Sequence, residues 1–407
     1  MENKYFVNNR LHLKKELKNN SLAIIYSGYL LNKSADEEYK FQVNLNFFYL
    51  TNISQANSYL LMGKIDNKYF ETLVIDPFDP FKEKWTGKTL TKEEAKNISG
   101  IENVIDEFDL KSYLDDHSFK HIYLDLEDNS KSFVNFNSFG LTVYQQIKDQ
   151  YDVIDIYPSI IELRRVKQKY ELSLIKESIK TTKNGLKNLM KKLKPNKYEY
   201  QSAADFDYVI KYDGNKDHSF RTIAASGVNA TTLHYDTNHN LMEDGSLLLL
   251  DLGCKTNEYC SDISRTYPIN GKFSERQKEI YNIVLKANEH CIKVAKDGMT
   301  FKELNDECKK VLFDGLKEIG KITEFEELDN YYYHGVSHSL GLDTHDPVND
   351  RVIKNGMVIT IEPGLYIKEE KIGIRIEDDI VINEKGNINL SKDIIKSIDD
   401  IEKFMAK

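Results

Sequence analysis

Two aspartates, Asp251 and Asp262, are the first residues in this chain whose types and spacing indicate chemistry. Leucines at 247–250 predict a buried strand that ends on Asp251, and Asp262 follows eleven residues later in a second segment of strand character. A turn centred between Thr256 and Asn257 would make the two aspartates direct cross-strand partners, with Cβ atoms about 4.5–5.5 Å apart. Two buried carboxylates this close repel each other, so the pair predicts a proton or a cation between them.

A second acidic pair is predicted on a second hairpin. Glu362 follows one apolar run, Glu377 lies in another, and the two are equally far from a polar turn at residues 369–370. Arg375 and Glu377 share a face of their strand because side chains alternate along a strand. Carboxylates surrounded by Leu, Ile and Val require compensation of their charge, which strengthens the case for bound cations.

Three of the ten histidines, His334, His338 and His345, fall within twelve residues. Helical spacing would align His334 with His338, but Gly335 and Gly341 disfavour a helix. A single histidine is more often an ordinary polar residue than a ligand. A cluster in a glycine-rich segment favours a site, because imidazole is a common metal ligand and a proton carrier near neutral pH.

Four carboxylates together with imidazole are the ligand set of an oxygen-rich dinuclear metal site. Hard oxygen ligands favour Mn²⁺, with Fe²⁺, Co²⁺ and Zn²⁺ as alternatives. Two ions about 3.5–4 Å apart can share a water, deprotonate it near neutral pH and stabilise a tetrahedral intermediate. The pattern therefore predicts a hydrolase.

The elements that must position these residues follow from capping and periodicity. Capping boxes at Ser274 with Gln277 and at Thr300 with Glu303 each begin an amphipathic helix, and another helix is expected from residue 166 until Pro195 stops it. The first part of the chain alternates strand-like and helical patterns, which predicts an α/β unit that ends near residue 162. Its predicted strands are residues 22–26, 47–50, 59–62, 73–75, 122–126 and a run within 151–161, and its predicted helices are residues 92–95 and 104–113.

Composition narrows the class of protein. The 407 residues allow two domains, and Lys+Arg 56 against Asp+Glu 65 gives a net charge of −9 with both signs interspersed, which argues against a nucleic-acid or anionic-membrane partner. The sequence contains no apolar leader and no run of about 18 apolar residues. Without a Cys-x-x-Cys pair, the four cysteines are expected to be reduced and the protein to be cytoplasmic. They are Cys254, Cys260, Cys291 and Cys308.

The chain resembles the pita-bread metallopeptidases, which include methionine aminopeptidase, prolidase and aminopeptidase P, in the order of five residues: Asp251, Asp262, His338, Glu362 and Glu377. The segments around them, such as His-Gly-Val-Ser-His-Ser-Leu-Gly-Leu and Thr-Ile-Glu-Pro-Gly-Leu-Tyr, are similar to those of Xaa-Pro aminopeptidase. The resemblance covers nearly the whole chain. It implies an α+β fold, with an N-terminal α/β creatinase-like domain at 1–162 and a C-terminal pita-bread (creatinase/aminopeptidase) catalytic domain at 163–407.

The resemblance implies a dinuclear-metal aminopeptidase, a hydrolase that cleaves the N-terminal Xaa-Pro bond of peptides through a metal-bridging hydroxide. Two divalent ions would be held by Asp251, Asp262, His338, Glu362 and Glu377. Asp262 and Glu377 would bridge both ions. Glu362 would also take the proton from the bridging water.

The resemblance also implies contacts with the peptide. His334 and His345 would contact the substrate and stabilise the tetrahedral intermediate, and His234 would line the site around the scissile bond. Asp36 would face the free amine of the substrate. Trp85 would reach the site of a neighbouring subunit, which implies a homodimer or a larger homo-oligomer.

Three further positions qualify this interpretation. Arg375 would orient Asp251. Phe220 stands where some relatives have a tyrosine in a network with that arginine and aspartate. A phenyl ring cannot donate a hydrogen bond, so Phe220 argues against a tyrosine role in proton movement and leaves metal ligation untouched. Arg351 could read a substrate carboxylate or form only a surface ion pair.

Alternatives to an Xaa-Pro aminopeptidase follow from the same family. A prolidase would cleave Xaa-Pro dipeptides and would read their free carboxylate. A non-catalytic member that binds peptide or protein would lack several of the metal ligands, and here all five are present. Methionine aminopeptidases lack the N-terminal domain, which argues against that assignment.

Overall fold

The computed structural model describes residues 3–81, 83–126, 139–214 and 216–406. The chain divides into two compact units, Met1–Arg164 and Arg165–Lys407. Within the described residues, no helix combines the length and the apolar character that crossing a membrane requires.

The first unit is built on a six-stranded mixed sheet in the order β6-β5-β4-β1-β7-β8. Its core consists of apolar side chains from β1, β4, β5 and β7 and from helices that cover the sheet. The strands are β1 Ser21–Tyr26, β2 Asn32–Ser34, β3 Glu37–Glu38, β4 Tyr59–Ile65, β5 Lys68–Val74, β6 Val104–Ile105, β7 His121–Leu124 and β8 Asp152–Asp155. The helices are α1 Lys4–Leu13, α2 Leu45–Thr51, α3 Glu83–Thr86, α4 Lys92–Ser99, α5 Leu110–Asp115, α6 Phe139–Ile147 and α7 Tyr157–Arg165.

Three local predictions in this unit are wrong. Residues 47–50 are not a strand but lie in α2, because the Asn44 side chain accepts a hydrogen bond from the Phe47 N–H and caps a helix, and a short buried apolar run suits either element. Residues 104–113 are not one helix, because β6 precedes α5, which Asp109 caps. The run within 151–161 turns from β8 into α7, whose first turn tolerates Pro158.

The second unit packs long helices around several small antiparallel sheets. The helices are α8 Lys169–Lys192, α9 Glu199–Tyr212, α10 Glu275–Val294, α11 Phe301–Glu318 and α12 Ile398–Met405. The strands are β9 Ile223–Ser226, β10 Leu247–Leu252, β11 Lys255–Thr256, β12 Tyr259–Cys260, β13 Ile263–Pro268, β14 Val358–Ile361, β15 Gly364–Ile367, β16 Ile372–Arg375, β17 Asp378–Val381 and β18 Ile388–Asn389. The sheets have the orders β13-β10-β9, β14-β17-β18, β15-β16 and β11-β12.

The capping boxes predicted for this unit are present. The Ser274 side chain accepts from the Gln277 N–H at the start of α10, and Thr300 accepts from the Glu303 N–H at the start of α11. The four cysteines are free and buried. One of them, Cys260, lies in the β11-β12 hairpin beside the candidate site.

Candidate active site

Asp251 and Asp262 lie near each other, but the prediction that they are direct cross-strand partners is wrong. In the β10-β13 pair, Asp251 lies opposite Ser264. The turn is centred one residue later than expected, between Asn257 and Glu258, which have positive φ values of 47° and 67°. A two-residue hairpin turn of type I′ requires positive φ at both central positions. Moving the turn centre by one residue moves each partner by two, so Asp262 keeps the face of Ser264 and lies diagonally across from Asp251.

Glu362 and Glu377 lie at equivalent places on the second hairpin, as their symmetry predicts. Gly364 pairs with Arg375 in β15-β16, and Ile361 pairs with Asp378 in β14-β17, so the two glutamates face each other where the ladder is interrupted. The hairpin is tied to the first one, because the Glu377 N–H donates to the Ser264 carbonyl at 3.0 Å.

The histidine segment reaches the site as extended chain, not as a helix. The His338 N–H donates to Thr360 Oγ1 at 3.1 Å, the Thr360 N–H donates to the His338 carbonyl at 2.9 Å, and the Glu362 N–H donates to the Val336 carbonyl at 2.8 Å. The segment therefore runs beside β14. This pairing places His338 next to Glu362, with 3.5 Å between Nε2 and Oε1.

Three side chains form a group that could hold a metal ion. One ligand atom each of Asp262, His338 and Glu377 lie within 4.8 Å of one another. His338 Nε2 is 3.4 Å from Asp262 Oδ2, and its Nδ1–H donates to the Ser339 carbonyl at 3.1 Å. Once the imidazole loses a proton, that second hydrogen bond selects the tautomer in which Nε2 carries the free lone pair, as in a metal-binding histidine.

Asp251 is held beside this group by Arg375. Arg375 Nη2 donates to Asp251 Oδ2 at 2.6 Å, and its Nε donates to Ser264 Oγ at 2.7 Å. Ser264 Oγ in turn donates to Glu377 Oε2 at 2.8 Å. Asp251 Oδ1 is buried and makes no hydrogen bond within the described residues. A buried carboxylate oxygen without a donor is costly, so a cation suits this donor set.

The pKa values of the clustered carboxyls show the same deficit of positive charge. Burial raises the pKa of Asp251 to about 6 and that of Glu362 to about 7, with repulsion from neighbouring carboxylates added to both. Burial and the charges of Asp262 and Glu362 raise the pKa of Glu377 well above its usual value. Arg375 offsets only part of these effects. Divalent ions would supply the missing charge and keep the carboxyls ionised.

The histidines divide into one charged and two neutral residues. Burial lowers the pKa of His338, but Asp262 and Glu362 outweigh burial and raise it to about 9. Burial and the charge of Arg375 lower the pKa of His334 to about 4, and burial also lowers the pKa of His345. His334 and His345 are therefore neutral imidazoles near pH 7.

A cavity of about 460 Å³ lies beside the carboxylate cluster. Its wall includes Asp251 and Asp262 from that cluster, together with His345 and His234. Phe220 also lines this cavity. The wall thus combines carboxylates, imidazoles and an aromatic ring, as in many binding sites for small molecules.

Three other predicted site residues are not among the described residues that line this cavity. Arg351 is exposed and is not among the described residues that line the cavity. Asp36 is exposed in the turn of the β2-β3 hairpin, and Trp85 is 81% exposed in α3. Both belong to the first unit, and their roles stay predictions.

Sequence reasoning missed three residues that hold the site together: Ser264, Tyr366 and Asp379. The Tyr366 hydroxyl accepts from Arg375 Nη1 at 3.1 Å and donates to His334 Nε2 at 2.8 Å, because His334 Nδ1 already donates to the Gly335 carbonyl. Asp379 Oδ2 accepts from the Asp262 N–H at 3.2 Å. Strand alternation offered a signal for Ser264, which shares a face with Asp262.

A cavity with clustered carboxylates and imidazoles in an α+β fold defines a metal-dependent hydrolase. Residues 173–384 match metallopeptidase family M24, and residues 6–123 match the aminopeptidase P N-terminal domain. The chain belongs to metallopeptidase family M24, so a divalent metal ion takes part in its activity.

Full-length relatives agree with this assignment. The Xaa-Pro aminopeptidase of Escherichia coli K12 is 31% identical, over 98% of this chain and 97% of its own length. A Bacillus anthracis structure assigned as an aminopeptidase P has 46% identity and a TM-score of 0.94, and covers 100% of this chain and 99% of its own. Aminopeptidase P from Escherichia coli has a TM-score of 0.91 at 29% identity, over 100% of this chain and 98% of its own. These matches confirm the predicted family, fold class and enzyme class, a metalloaminopeptidase.

Proposed function

We propose that this chain hydrolyses the bond between an N-terminal residue and a following proline, with residues 163–407 as the catalytic domain. One observation carries the proposal: Asp251, Asp262, His338, Glu362 and Glu377 converge beside a cavity that His234 and His345 help to line. Proline-containing peptides are the proposed substrates, as the names of the relatives indicate.

The five converging residues are the proposed ligands of two divalent ions. Mn²⁺ is the first candidate because the donors are mostly carboxylate oxygens, and Co²⁺, Fe²⁺ and Zn²⁺ are alternatives. Asp262 and Glu377 would each supply a carboxylate to the metal site. When bound, the ions would polarise the scissile carbonyl and acidify a water molecule.

The chain's own residues are proposed to bind the peptide and to move its protons. Glu362 would accept a proton from the attacking water at its carboxylate and pass it to the leaving proline nitrogen. His234 and His345 would each offer one ring N–H to the carbonyl oxygen as it gains charge. His334 would stay neutral, with its Nε2 accepting a hydrogen bond from the Tyr366 hydroxyl. Its Nδ1 lies 3.8 Å from Glu362 Oε2.

A peptidase assay tests this function. Protein stripped of metal and reloaded with Mn²⁺ should cleave Ala-Pro-Gly and leave Ala-Ala-Gly intact, and Glu362→Ala should abolish cleavage while circular dichroism stays unchanged. Glu369→Ala, on an exposed glutamate that pairs with Lys321, is the matched control and should retain activity. Cleavage of the dipeptide Ala-Pro but not of Ala-Pro-Gly would indicate a prolidase. Full turnover by Glu362→Ala would contradict the mechanism.

A homodimer or larger homo-oligomer is proposed for solution, with Trp85 reaching the neighbouring site. Its exposure of 81% leaves the indole available for such a contact. If the role is correct, Trp85→Ala should weaken peptide cleavage in a protein whose oligomeric mass is unchanged. The same substitution with unaltered kinetics would refute it. Asp36 stays a proposed contact for the substrate amine, and Arg351 either reads the carboxylate of an Xaa-Pro dipeptide or forms only a surface ion pair.

The protein is also proposed to be located in the cytoplasm. The free, buried state of all four cysteines supports a reducing compartment. Cell fractionation with an antibody against the chain would test it.

A further inference from the structure

Lys255 is a cation in the wall of the catalytic cavity that the proposed mechanism does not use. It lines the same cavity as Asp251, Asp262 and His345. Its side chain is only 20% exposed, and its single ion pair among the described residues joins Nζ to Glu258 Oε2 at 3.9 Å. No described residue accepts a hydrogen bond from this ammonium group. An ammonium group that lines a cavity and has unused donors can bind an anionic ligand there.

Other cations close to Lys255 differ in this respect. Arg221 also lines the cavity, but it is 88% exposed and its Nη1 donates to Asp236 Oδ2 at 2.9 Å. Lys216 contacts the same hairpin, and its ammonium donates to Glu177, Thr181 and Thr256. Lys255 is therefore the cavity cation whose hydrogen-bonding capacity is unfilled within the described residues.

The backbone holds Lys255 in a defined place relative to the candidate metal ligands. The Lys255 N–H donates to the Asp217 carbonyl at 2.8 Å, and Lys255 pairs with Cys260 across the β11-β12 hairpin. The Cys260 N–H donates to the Gly341 carbonyl at 2.8 Å, which ties the hairpin to the loop that carries His345. The ammonium group is thus presented from a fixed element on a flexible four-carbon stem.

We propose that Lys255 binds the C-terminal carboxylate of a tripeptide substrate, Xaa-Pro-Yaa. The inference rests on the proposed function, because Asp251 marks the position of the scissile bond only if the metal site lies there. Lys255 follows Asp251 by four residues, so their Cα atoms are at most about 14 Å apart. The two residues beyond the scissile bond span about 7 Å, and the lysine side chain covers the remaining distance.

This placement selects for peptide length. In an Xaa-Pro dipeptide the carboxylate lies one residue, or about 3.5 Å, closer to the scissile bond and farther from Lys255. In a longer peptide the third residue carries a neutral amide instead of a carboxylate. A tripeptide acid therefore gains an ion pair that dipeptides and longer peptides lack.

Matched acid and amide substrates test the proposal. The native protein should show a KM for Ala-Pro-Gly about tenfold below that for Ala-Pro-Gly-amide, as one charge-assisted hydrogen bond predicts. In Lys255→Met this ratio should fall to about 1 through KM, with kcat little changed. Lys255→Arg should restore most of the ratio. The matched control, Lys216→Met, should keep the full ratio.

A binding measurement separates recognition from turnover. The product Pro-Gly should bind more tightly than Pro-Gly-amide in calorimetry, and Lys255→Met should remove the difference. Ala-Pro-Asp-amide distinguishes the source of the carboxylate: a KM as low as that of Ala-Pro-Gly would assign Lys255 to an acidic third side chain and overturn the assignment to the C-terminus.

Different results would reject the peptidase function and the role of Lys255. Failure to cleave either the acid or the amide would reject the proposed function. Equal KM values in the native protein, or an acid preference that survives in Lys255→Met and disappears in Arg221→Met, would reject the role of Lys255 and leave the peptidase assignment intact.

Discussion

Arg375 Nη2 donates a hydrogen bond of 2.6 Å to Asp251 Oδ2, while the other carboxylate oxygen of Asp251 is buried without a hydrogen bond among the described residues. The guanidinium group thus occupies one oxygen and leaves the second available to a cation. The same guanidinium also holds Ser264 and Tyr366, and Tyr366 holds His334. One buried arginine therefore connects both hairpins and the histidine segment.

Replacing this arginine should be costly for both the fold and the site. Arg375→Met removes one member of a buried ion pair and should lower the free energy of unfolding by about 3–5 kcal/mol, because Asp251 is left as an uncompensated buried charge. Urea denaturation of metal-free protein measures this change. Arg276→Met removes a partly exposed pair with Glu370 and should cost less than about 1 kcal/mol. Equal losses for the two variants would contradict the central role of Arg375.

Binding of a divalent metal ion should release protons. Burial and mutual repulsion raise the pKa of Glu362 to about 7 and raise that of Glu377 well above its usual value, and His338 has a pKa of about 9 because Asp262 and Glu362 outweigh its burial. Metal-free protein at pH 7 therefore holds protons that ligation must displace.

Calorimetric titration with Mn²⁺ in two buffers of different ionisation enthalpy measures this release. About one to two protons should leave per protein, since at pH 7 His338, with a pKa of about 9, is mainly protonated and Glu362, with a pKa of about 7, is about half protonated in the absence of metal. Glu369→Gln, an exposed substitution, should leave the number unchanged. A heat of binding independent of the buffer would show that the ligands are already deprotonated.

A buried ion pair should support the loop that carries His345. Lys167 Nζ donates to Asp346 Oδ2 at 2.8 Å, and both side chains are only 1% exposed. Asp346 also accepts from the Asp343 N–H. Lys167→Met should lower the free energy of unfolding by about 3–5 kcal/mol, because it strands the Asp346 charge in the interior.

The double variant Lys167→Met/Asp346→Asn tests the reason for that loss. Removing both charges should recover a large part of the stability in urea denaturation, because no buried charge is left unpaired. Lys302→Met, which breaks an exposed pair with Asp306, should cost under about 1 kcal/mol. If the double variant is no more stable than Lys167→Met, the loss comes from packing instead.

Glu171 should make the stability of the fold depend on pH. Burial raises the pKa of Glu171 to about 7 despite hydrogen bonds from the Gln168 N–H and the Tyr259 hydroxyl. Between about pH 4.5 and 7 the folded protein keeps a proton that the unfolded chain has lost. The free energy of unfolding must therefore fall as pH rises through this window, by up to about 3 kcal/mol.

Glu171→Gln removes this titration. The free energy of unfolding of the variant minus that of the native protein should be larger at pH 8 than at pH 5, by up to about 3 kcal/mol in urea denaturation. Glu275→Gln, at an exposed position in the first turn of α10, should show no such difference. A constant difference between native and Glu171→Gln proteins at both pH values would show that Glu171 is ionised throughout.

Local patterns were sufficient for the elements whose signals lie within a few residues. The capping boxes at Ser274 and Thr300 begin α10 and α11 as predicted, because a cap needs only a side chain and the N–H three residues later. The prediction of a strand at residues 47–50 was wrong because a short buried apolar run suits a strand or a helix equally. Asn44 decided between them.

The amino-acid sequence was enough to predict the donor types, the family and the hairpin symmetry of Glu362 and Glu377. The fold was needed to show that Asp251 faces Ser264, because the register depends on which two residues adopt positive φ at the turn, and a shift of one residue moves the partner by two. It alone placed His338 beside Glu362, since those contacts join segments that are distant along the chain. It also showed Lys255 in the cavity wall without a hydrogen-bond acceptor among the described residues, which no spacing in the sequence indicates.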